Sequence, residues 1–157
     1  MPEPAAVVAV VVTYHPTPRL TVPLLEALAP QVAHVVVVDN GSPETVLDEL
    51  RPVVERLGGT LVTLGENLGI AAAQNAGIDV ARERGATHVL LSDQDSLPAP
   101  DMVERLLSGM RAAAGRGRPV AAVGPVTMDE RNEGAPLVFS DHRWGPRRAH
   151  VPDADGA

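Results

Sequence analysis

The sequence predicts an α/β domain with a mostly parallel sheet covered by helices. Short runs of β-branched residues alternate with helical patterns of about ten residues or more, as in parallel strands joined by right-handed crossovers. The first of these runs, residues 6–13, is apolar almost throughout. Such a run is typical of a strand that is buried on both faces of a parallel sheet.

Five strands are expected along the chain. The first ends at residues 14–18, whose two prolines suit neither a helix interior nor a central strand. The later runs end in polar or glycine-containing turns. The predicted strands cover residues 6–13, 34–39, 60–64, 88–91 and 120–124.

Four helices are expected between or after these strands. Leucines at helical spacing mark the first helix, and Pro30 ends it. Gly77 lies inside the third helix, where it costs about 1 kcal/mol relative to alanine, so it indicates close packing at that point. The predicted helices cover residues 20–29, 43–57, 70–84 and 101–114.

Composition limits the possible partners. A chain of 157 residues is long enough for one domain with a proper core. Its formal net charge of −7 disfavours nucleic acid, which needs a basic patch. Cysteine is absent, which excludes thiolate sites. No apolar run reaches the roughly 18 to 20 residues that span a bilayer, and the amino terminus lacks a signal peptide's positive region. We therefore expect a cytoplasmic protein and leave peripheral association with the inner face of the membrane open.

Polar residues follow several of the predicted strands. In open α/β sheets, ligands bind at the carboxyl ends of the strands, and that is where these residues fall. If strand geometry persists through Gln94, two of them project their carboxylates to one side. Magnesium usually takes one or two protein carboxylates and completes its shell with water and phosphate oxygens. The residues at these ends are Tyr14, Asp39, Asn67, Asp93 and Asp95.

Structural roles for the same residues remain open. Asp39 also suits an Asx-turn over the residues that follow it, and this role is compatible with ligand binding. Asn75 suits a hydrogen bond in helix packing as well as a ligand contact. Asp95 or Ser96 suits the cap of the fourth helix. His34 and His88 lie at strand starts, away from these ends, and are expected to be structural or exposed.

Five segments together resemble the nucleotide-sugar-dependent glycosyltransferases of family 2, which have the Rossmann-like GT-A fold. Rhamnosyltransferase-type members are the most similar. The segments follow the family's order and spacing over residues 7–125, and their combination is more specific than any single one. They are residues 12–16, 37–42, 66–71, 73–78 and 90–96.

The resemblance implies a pocket for a nucleoside-diphosphate sugar similar to dTDP-rhamnose. Thr13 and Tyr14 would line the base and ribose pocket, and Asp39 would accept hydrogen bonds from the base. Asn67 and Gly69 would border the same pocket. Asn75, in a matching segment, is included among the residues that would bind the nucleotide sugar.

The resemblance also implies metal-assisted chemistry. Asp93 would lie near the donor ribose, and Asp95 together with Asp93 would bind Mg²⁺ or Mn²⁺ bridging the diphosphate. The ion would act as a Lewis acid on the leaving group. The reaction would be an inverting transfer to a glycan or lipid-linked acceptor in cell-wall polysaccharide biosynthesis, and the resemblance to the rhamnosyltransferase-type members implies rhamnose as the sugar.

The chain departs from the family on the acceptor side. Members place the general base, an Asp or Glu, in a half of the protein well downstream of the D-x-D motif, which is Asp93-Gln94-Asp95 in this chain. We expect residues 1–125 to be the nucleotide-sugar-binding half of a truncated GT-A fold. Residues 126–157 are expected to be an irregular, partly disordered tail. The alternative function is therefore a catalytically incomplete nucleotide-binding fragment.

A dinucleotide-binding domain would use the same type of sheet. It requires a G-x-G-x-x-G loop after the first strand, but residues 14–18 at that point have the sequence Tyr-His-Pro-Thr-Pro. Lysine is also absent, which weakens a P-loop nucleotide site, because that loop needs its lysine.

Overall fold

The computed structural model describes residues 6–117 and 120–126, together with the backbone of residues 138–140 and 147–149. The chain divides into two compact units, Met1–Arg105 and Leu106–Ala157. The first unit contains the predicted sheet.

Four of the strands form one parallel sheet in the order 3-2-1-4, counted along the chain. Each neighbouring pair is parallel, as the alternation of strands and helices predicted. The first strand lies inside the sheet, between the second and the fourth. The strands are β1 (Val7–Thr13), β2 (His34–Asp39), β3 (Thr60–Thr63) and β4 (His88–Ser92).

All four expected helices are confirmed, with bounds close to the predicted ones. The first begins earlier than expected because Pro18 occupies the first helical turn, where a missing N–H costs nothing. It is followed by a short 3₁₀ turn, Ala29–Gln31. The helices are α1 (Pro18–Leu28), α2 (Glu44–Arg56), α3 (Ile70–Glu83) and α4 (Met102–Gly115).

Two apolar clusters cover the two faces of the sheet. On one face, alternate residues of β1 and β2 pack against leucines of α1, and on the other they pack against small residues of α3. This arrangement explains why β1 is a nearly unbroken run of valines. One cluster consists of Ala9, Val11, Leu24, Leu25, Leu28, Val35, Val37 and Val54, and the other of Val8, Val10, Val36, Val38, Ala73 and Ala81.

Gly77 allows α3 to approach the sheet closely. A Cβ atom built on it would overlap Cγ1 of Val10 and would lie 3.1 Å from Cγ2 of Val38. The close packing expected at this glycine is therefore confirmed.

The fifth expected strand, over residues 120–124, is wrong. Residues 120–126 form neither strand nor helix, and Val123 and Val126 are exposed. The run contains two alanines and ends in glycine and proline, all poor strand formers, so its valines lack the packing surface that would stabilise a strand. Between residues 126 and 157, the structure describes two short antiparallel strands, β5 (Val138–Ser140) and β6 (Arg147–Ala149). The rest of the expected tail lies outside the described residues.

Among the residues that the structure describes, every helix is too short or too polar to cross a bilayer.

His34, the first residue of β2, makes the stability of the fold depend on pH. Its Nε2 lies 2.9 Å from Oγ1 of Thr60, which also accepts a hydrogen bond of 3.0 Å from Nη2 of Arg84. Burial, and then the positive charge of Arg84, lower the pKa of His34 below its ordinary value of 6.5. As the pH falls through about 6.5, the unfolded chain therefore takes up the proton first, and the folded state loses stability.

We expect a His34→Gln variant to lose less unfolding free energy than the wild type between about pH 7.5 and about pH 5.5. Urea denaturation at both pH values measures the difference. Equal losses in the two proteins would contradict this role of the imidazole.

Candidate functional site

The carboxyl ends of the parallel strands lie level with one another. In the strand register, Thr13 of β1 is opposite Asp39 of β2, and Asp39 is opposite Thr63 of β3. The loops that leave these strands therefore start side by side. Side-chain hydrogen bonds join these loops, and the loop after β4, into one connected group.

Asp39 organises the loop after β2 from a buried position, with an exposed fraction of 1%. Its Oδ1 accepts hydrogen bonds from the backbone N–H groups of Gly41 at 3.1 Å and Ser42 at 2.7 Å. Its Oδ2 accepts from Oγ1 of Thr13 at 2.9 Å and from Oγ of Ser42 at 2.6 Å. The Asx-turn considered for this residue is therefore present.

These four bonds bear on the other role considered for Asp39. A carboxylate offers about four lone-pair sites, and Asp39 already accepts four hydrogen bonds. A nucleotide base that bonded to Asp39 directly would have to displace one of these donors.

Asn40 joins the loop after β2 to the loop before α3. Its Nδ2 donates to Oδ1 of Asn67 at 3.0 Å, and its Oδ1 accepts from the N–H of Leu68 at 2.9 Å. The N–H of Gly69 also donates to Oδ1 of Asn67, at 3.0 Å. The two loops touch so closely that a Cβ on Gly41 would lie 2.6 Å from the carbonyl carbon of Glu66. Asn67 and Gly69 are thus fixed beside β2.

Tyr14 and His15 follow β1 at the surface. Tyr14 is 44% exposed as a residue, and its ring meets the His15 ring edge-on, with 4.4 Å between ring centroids. His15 has a positive φ of 46°, an uncommon conformation for a residue other than glycine. Its N–H donates to Oγ of Ser42 at 2.9 Å, so the Asx-turn also holds this bend.

The D-x-D segment does not continue β4, because the strand ends at Ser92 and a turn includes Gln94 and Asp95. The condition under which strand alternation would carry both carboxylates to one side, strand geometry through Gln94, is therefore not met. The physical reason is that the Gln94 side chain bonds back to the backbone of Tyr14, which bends the chain. Asp93 and Asp95 are exposed on either side of the partly buried Gln94.

Asn75 is not brought together with the other candidate residues. Helix α3 turns Ala73 and Gly77 towards the sheet, where both are buried. Asn75 is two positions from each, which corresponds to about 200° of rotation around the helix. Its side chain therefore projects from the far side of α3 and is exposed.

Two exposed carboxylates, Asp93 and Asp95, fit a cation that is only partly coordinated by protein. In the ranges 6–117 and 120–126, no three His, Cys, Asp or Glu side chains are grouped as a metal site. Magnesium with one or two protein carboxylates takes its remaining ligands from water and substrate phosphates. The pair therefore suits a metal that arrives with, or is held by, a phosphorylated ligand.

Three residues that join the loops by hydrogen bonds were not predicted from the sequence. They are Asn40, Ser42 and Gln94. Asn40 and Ser42 lie in a segment whose composition already predicted a turn, which left no separate signal for their contacts. Gln94 bonds to a residue 80 positions away, so no local pattern identifies its partner.

Known proteins that are similar to this chain in sequence are glycosyltransferases. The sequence model of glycosyl transferase family 2 matches residues 9–135. The chain is 40% identical over 98 residues to the Shigella flexneri protein named dTDP-rhamnosyl transferase RfbF, an alignment that covers 62% of this chain and 32% of the relative. The chain thus spans about a third of that relative's length.

Solved structures agree in fold. S. aureus TarS 1-349 matches 69% of this chain and 33% of its own, with a TM-score of 0.53 and 20% identity. A longer TarS structure matches 69% of this chain and 20% of its own, with a TM-score of 0.52 and 20% identity. These likenesses concern the fold alone, which is GT-A. With the family match extending over most of the sheet and its loops, the chain belongs to glycosyl transferase family 2.

Proposed function

We propose that this chain binds the sugar donor of a rhamnosyl transfer, a nucleoside-diphosphate sugar similar to dTDP-rhamnose. One observation carries the proposal: hydrogen bonds join the loops after β1, β2 and β4 and the loop before α3 at one edge of the sheet. That edge presents a tyrosine ring, amide groups and two carboxylates. The name of the 40% identical relative, dTDP-rhamnosyl transferase, supports the choice of donor.

In this proposal, residues 1–125 form the donor-binding part. Tyr14 provides an exposed ring for the base and ribose, while Thr13 acts from beneath as a donor to Asp39. Asn67 and Gly69 border the pocket through their fixed loop. Asp39 contributes by holding the loops together. The alternative is a direct hydrogen bond to the base, and the Asp39→Asn variant distinguishes these two roles. Asn75 is exposed on α3, away from this pocket. If it contacts the donor, it contacts a part that extends beyond the pocket.

Asp93 and Asp95 hold Mg²⁺ or Mn²⁺ in the proposed complex, with Asp93 nearer the ribose. The bound metal supplies Lewis-acid stabilisation of the diphosphate leaving group. Both carboxylates are exposed, so they are accessible to an ion that brings phosphate and water as its other ligands.

Sugar transfer with inversion at the anomeric carbon, to a glycan or lipid-linked acceptor, is the proposed reaction. It also needs a general base that takes the proton of the acceptor hydroxyl. A second candidate, donor binding without transfer, follows if that base lies in the part of the relative that this chain does not match, which is most of its length. We propose a cytoplasmic site of action, with peripheral contact at the inner face of the membrane where a lipid-linked acceptor would lie.

The proposal is tested by thermal unfolding of the chain with TDP, with and without Mn²⁺, followed by assays of dTDP-rhamnose hydrolysis and transfer. A rise in Tm that requires TDP and grows with Mn²⁺ is expected, because a ligand that binds only the folded state stabilises it. Turnover would support the transferase, and stabilisation without turnover would support donor binding alone. No stabilisation by TDP at any Mn²⁺ concentration would refute both.

Asp95→Asn is expected to weaken TDP binding in the presence of Mn²⁺ by about tenfold or more, which corresponds to about 1.4 kcal/mol. The neutral amide removes one negative ligand from the cation, whereas the fold should be unaffected because Asp95 is exposed. Isothermal titration calorimetry measures the change.

Asp79→Asn is the matched control for Asp95→Asn. Asp79 is an exposed carboxylate on α3, paired with Arg82 at 3.1 Å, and its substitution removes the same charge away from the D-x-D segment. Wild-type affinity in the Asp95 variant, or an equal loss in the Asp79 variant, would contradict the assignment of Asp95 to the metal.

A further inference from the structure

Gln94 occupies the middle of the D-x-D segment and is partly buried, whereas its two neighbours, Asp93 and Asp95, are exposed. Its Oε1 accepts a hydrogen bond of 2.8 Å from the N–H of Tyr14, and its Nε2 donates to the carbonyl oxygen of Tyr14 at 3.3 Å. The side-chain amide thus satisfies both backbone groups of one residue, as a neighbouring strand would.

The backbone of Gln94 is held as well. Its carbonyl oxygen accepts a hydrogen bond of 3.0 Å from Oγ1 of Thr21, a residue of α1 that is fully buried. Three hydrogen bonds therefore join one loop residue to the region after β1. The side chain of Gln94 is engaged with Tyr14, while Asp93 and Asp95 are both exposed.

We propose that Gln94 is a positioning residue that sets the direction of the two metal-binding carboxylates relative to Tyr14. This inference rests on the proposed donor binding and deepens it. Because the same amide bonds to the backbone of Tyr14, it fixes the separation between the residue that meets the base and the residues that meet the metal. A nucleoside diphosphate has a set distance between its base and its phosphates, so this separation determines how much a metal strengthens nucleotide binding.

Gln31 offers a matched comparison, because it bonds to the later part of the segment that connects β4 to α4. Its Nε2 donates to the carbonyl oxygens of Ala27 at 2.9 Å and Ala99 at 3.0 Å. Its Oε1 accepts from the N–H of Val103 at 3.1 Å. Gln31 therefore also makes three hydrogen bonds, two of which hold the segment after β4, but none of them involves Tyr14 or the D-x-D residues.

The experiment compares the wild type, Gln94→Ala and Gln31→Ala as full chains. For each, calorimetry gives the Kd of TDP without metal and with saturating Mn²⁺, and the ratio of the two values is the metal enhancement. All titrations are done at a temperature where Tm measurements show each protein to be folded. Hydrogen exchange at the Tyr14 amide reports whether its bond to position 94 is lost.

The Gln94 variant is expected to show a metal enhancement lower than that of the wild type by about tenfold, because each lost hydrogen bond affects an equilibrium by a factor of this order. Its Tyr14 amide should exchange faster. Gln31→Ala should lower Tm and leave the metal enhancement unchanged. Thr21→Val, which removes only the bond to the Gln94 carbonyl, should reduce the enhancement by a smaller factor.

Three results would overturn the inference, and only the last of them also overturns the proposed function. If the wild type binds TDP more tightly with Mn²⁺ and Gln94→Ala does so to the same extent, Gln94 has no positioning role although the proposed function stands. The same conclusion follows if Gln31→Ala lowers the enhancement equally. If the wild type itself does not bind TDP, the proposed function fails and this inference fails with it.

Discussion

Asp39→Ala is expected to lower the free energy of unfolding by about 3 kcal/mol, because buried donors that lose their acceptor each incur a desolvation cost of about 1 to 3 kcal/mol. The substitution removes the acceptor of four hydrogen bonds at once. Thr13 is fully buried, so water cannot replace its lost partner without rearrangement. Urea denaturation measures the loss, and a change below about 1 kcal/mol would show that the donors find other partners.

Asp39→Asn separates the two roles considered for this residue. The amide oxygen can still accept from the N–H groups of Gly41 and Ser42, and the amide nitrogen can donate to the hydroxyl oxygens of Thr13 and Ser42, which both donate and accept. We expect a stability loss of only about 1 kcal/mol.

The affinity of the Asp39→Asn variant for TDP then decides between the roles. If Asp39 acts by holding the loops, affinity should stay within about threefold of the wild type once the protein is folded. If the carboxylate accepts a hydrogen bond from the base, the loss should exceed about tenfold, because hydrogen bonds to charged groups contribute about 1.5 to 3 kcal/mol. Calorimetry with thymidine, which lacks phosphates, confines the comparison to the base side.

Gly77→Ala is expected to lower the free energy of unfolding by up to about 2 kcal/mol. The new methyl group would overlap Cγ1 of Val10, a β-branched side chain with few alternative rotamers, in a fully buried position of β1. Overpacking of this kind costs about 1 to 3 kcal/mol, and the higher helix propensity of alanine offsets about 1 kcal/mol. Denaturation by urea, with an unchanged slope, gives the value.

Gly109→Ala is the matched control, because Gly109 also lies inside a helix, α4. Among the described residues, no atom lies within 4 Å of a Cβ built on Gly109, so only the helix propensity acts, and stability should rise by about 0.5 to 1 kcal/mol. Opposite signs for the two variants would attribute the Gly77 effect to contact with the sheet. A stabilised Gly77→Ala variant would contradict the close approach of α3.

Much of the fold could be predicted from local patterns. The valine run of β1 identified a strand that is buried on both faces, and periodic leucines identified α1. Both signals arise from burial, which repeats along the chain with the period of the element. The same reasoning failed for residues 120–124, because a short apolar run becomes a strand only where neighbours provide packing and hydrogen bonds.

The location of the candidate site in the fold could be predicted from the sequence, but the hydrogen bonds between its residues could not. Parallel strands bring their carboxyl ends to one edge, which correctly placed Tyr14, Asp39 and Asn67 together with the D-x-D segment. Asn75 shared a family segment with them, yet the helix period turns it away. Sequence spacing along a helix does not show which side faces the ligand until the packed face is known.

The sequence by itself determined the α/β alternation, the family and the carboxyl ends of the strands as the place where the candidate residues meet. Only the tertiary structure decided that Asp39 is occupied by four donors and that Gln94 turns inward between two exposed carboxylates. The reason is physical: burial and turn preferences depend on neighbours along the chain, whereas these hydrogen bonds join Thr13 to Asp39 and Tyr14 to Gln94, 26 and 80 positions apart. Their partners are set by the register of the parallel strands and by the bends that follow them.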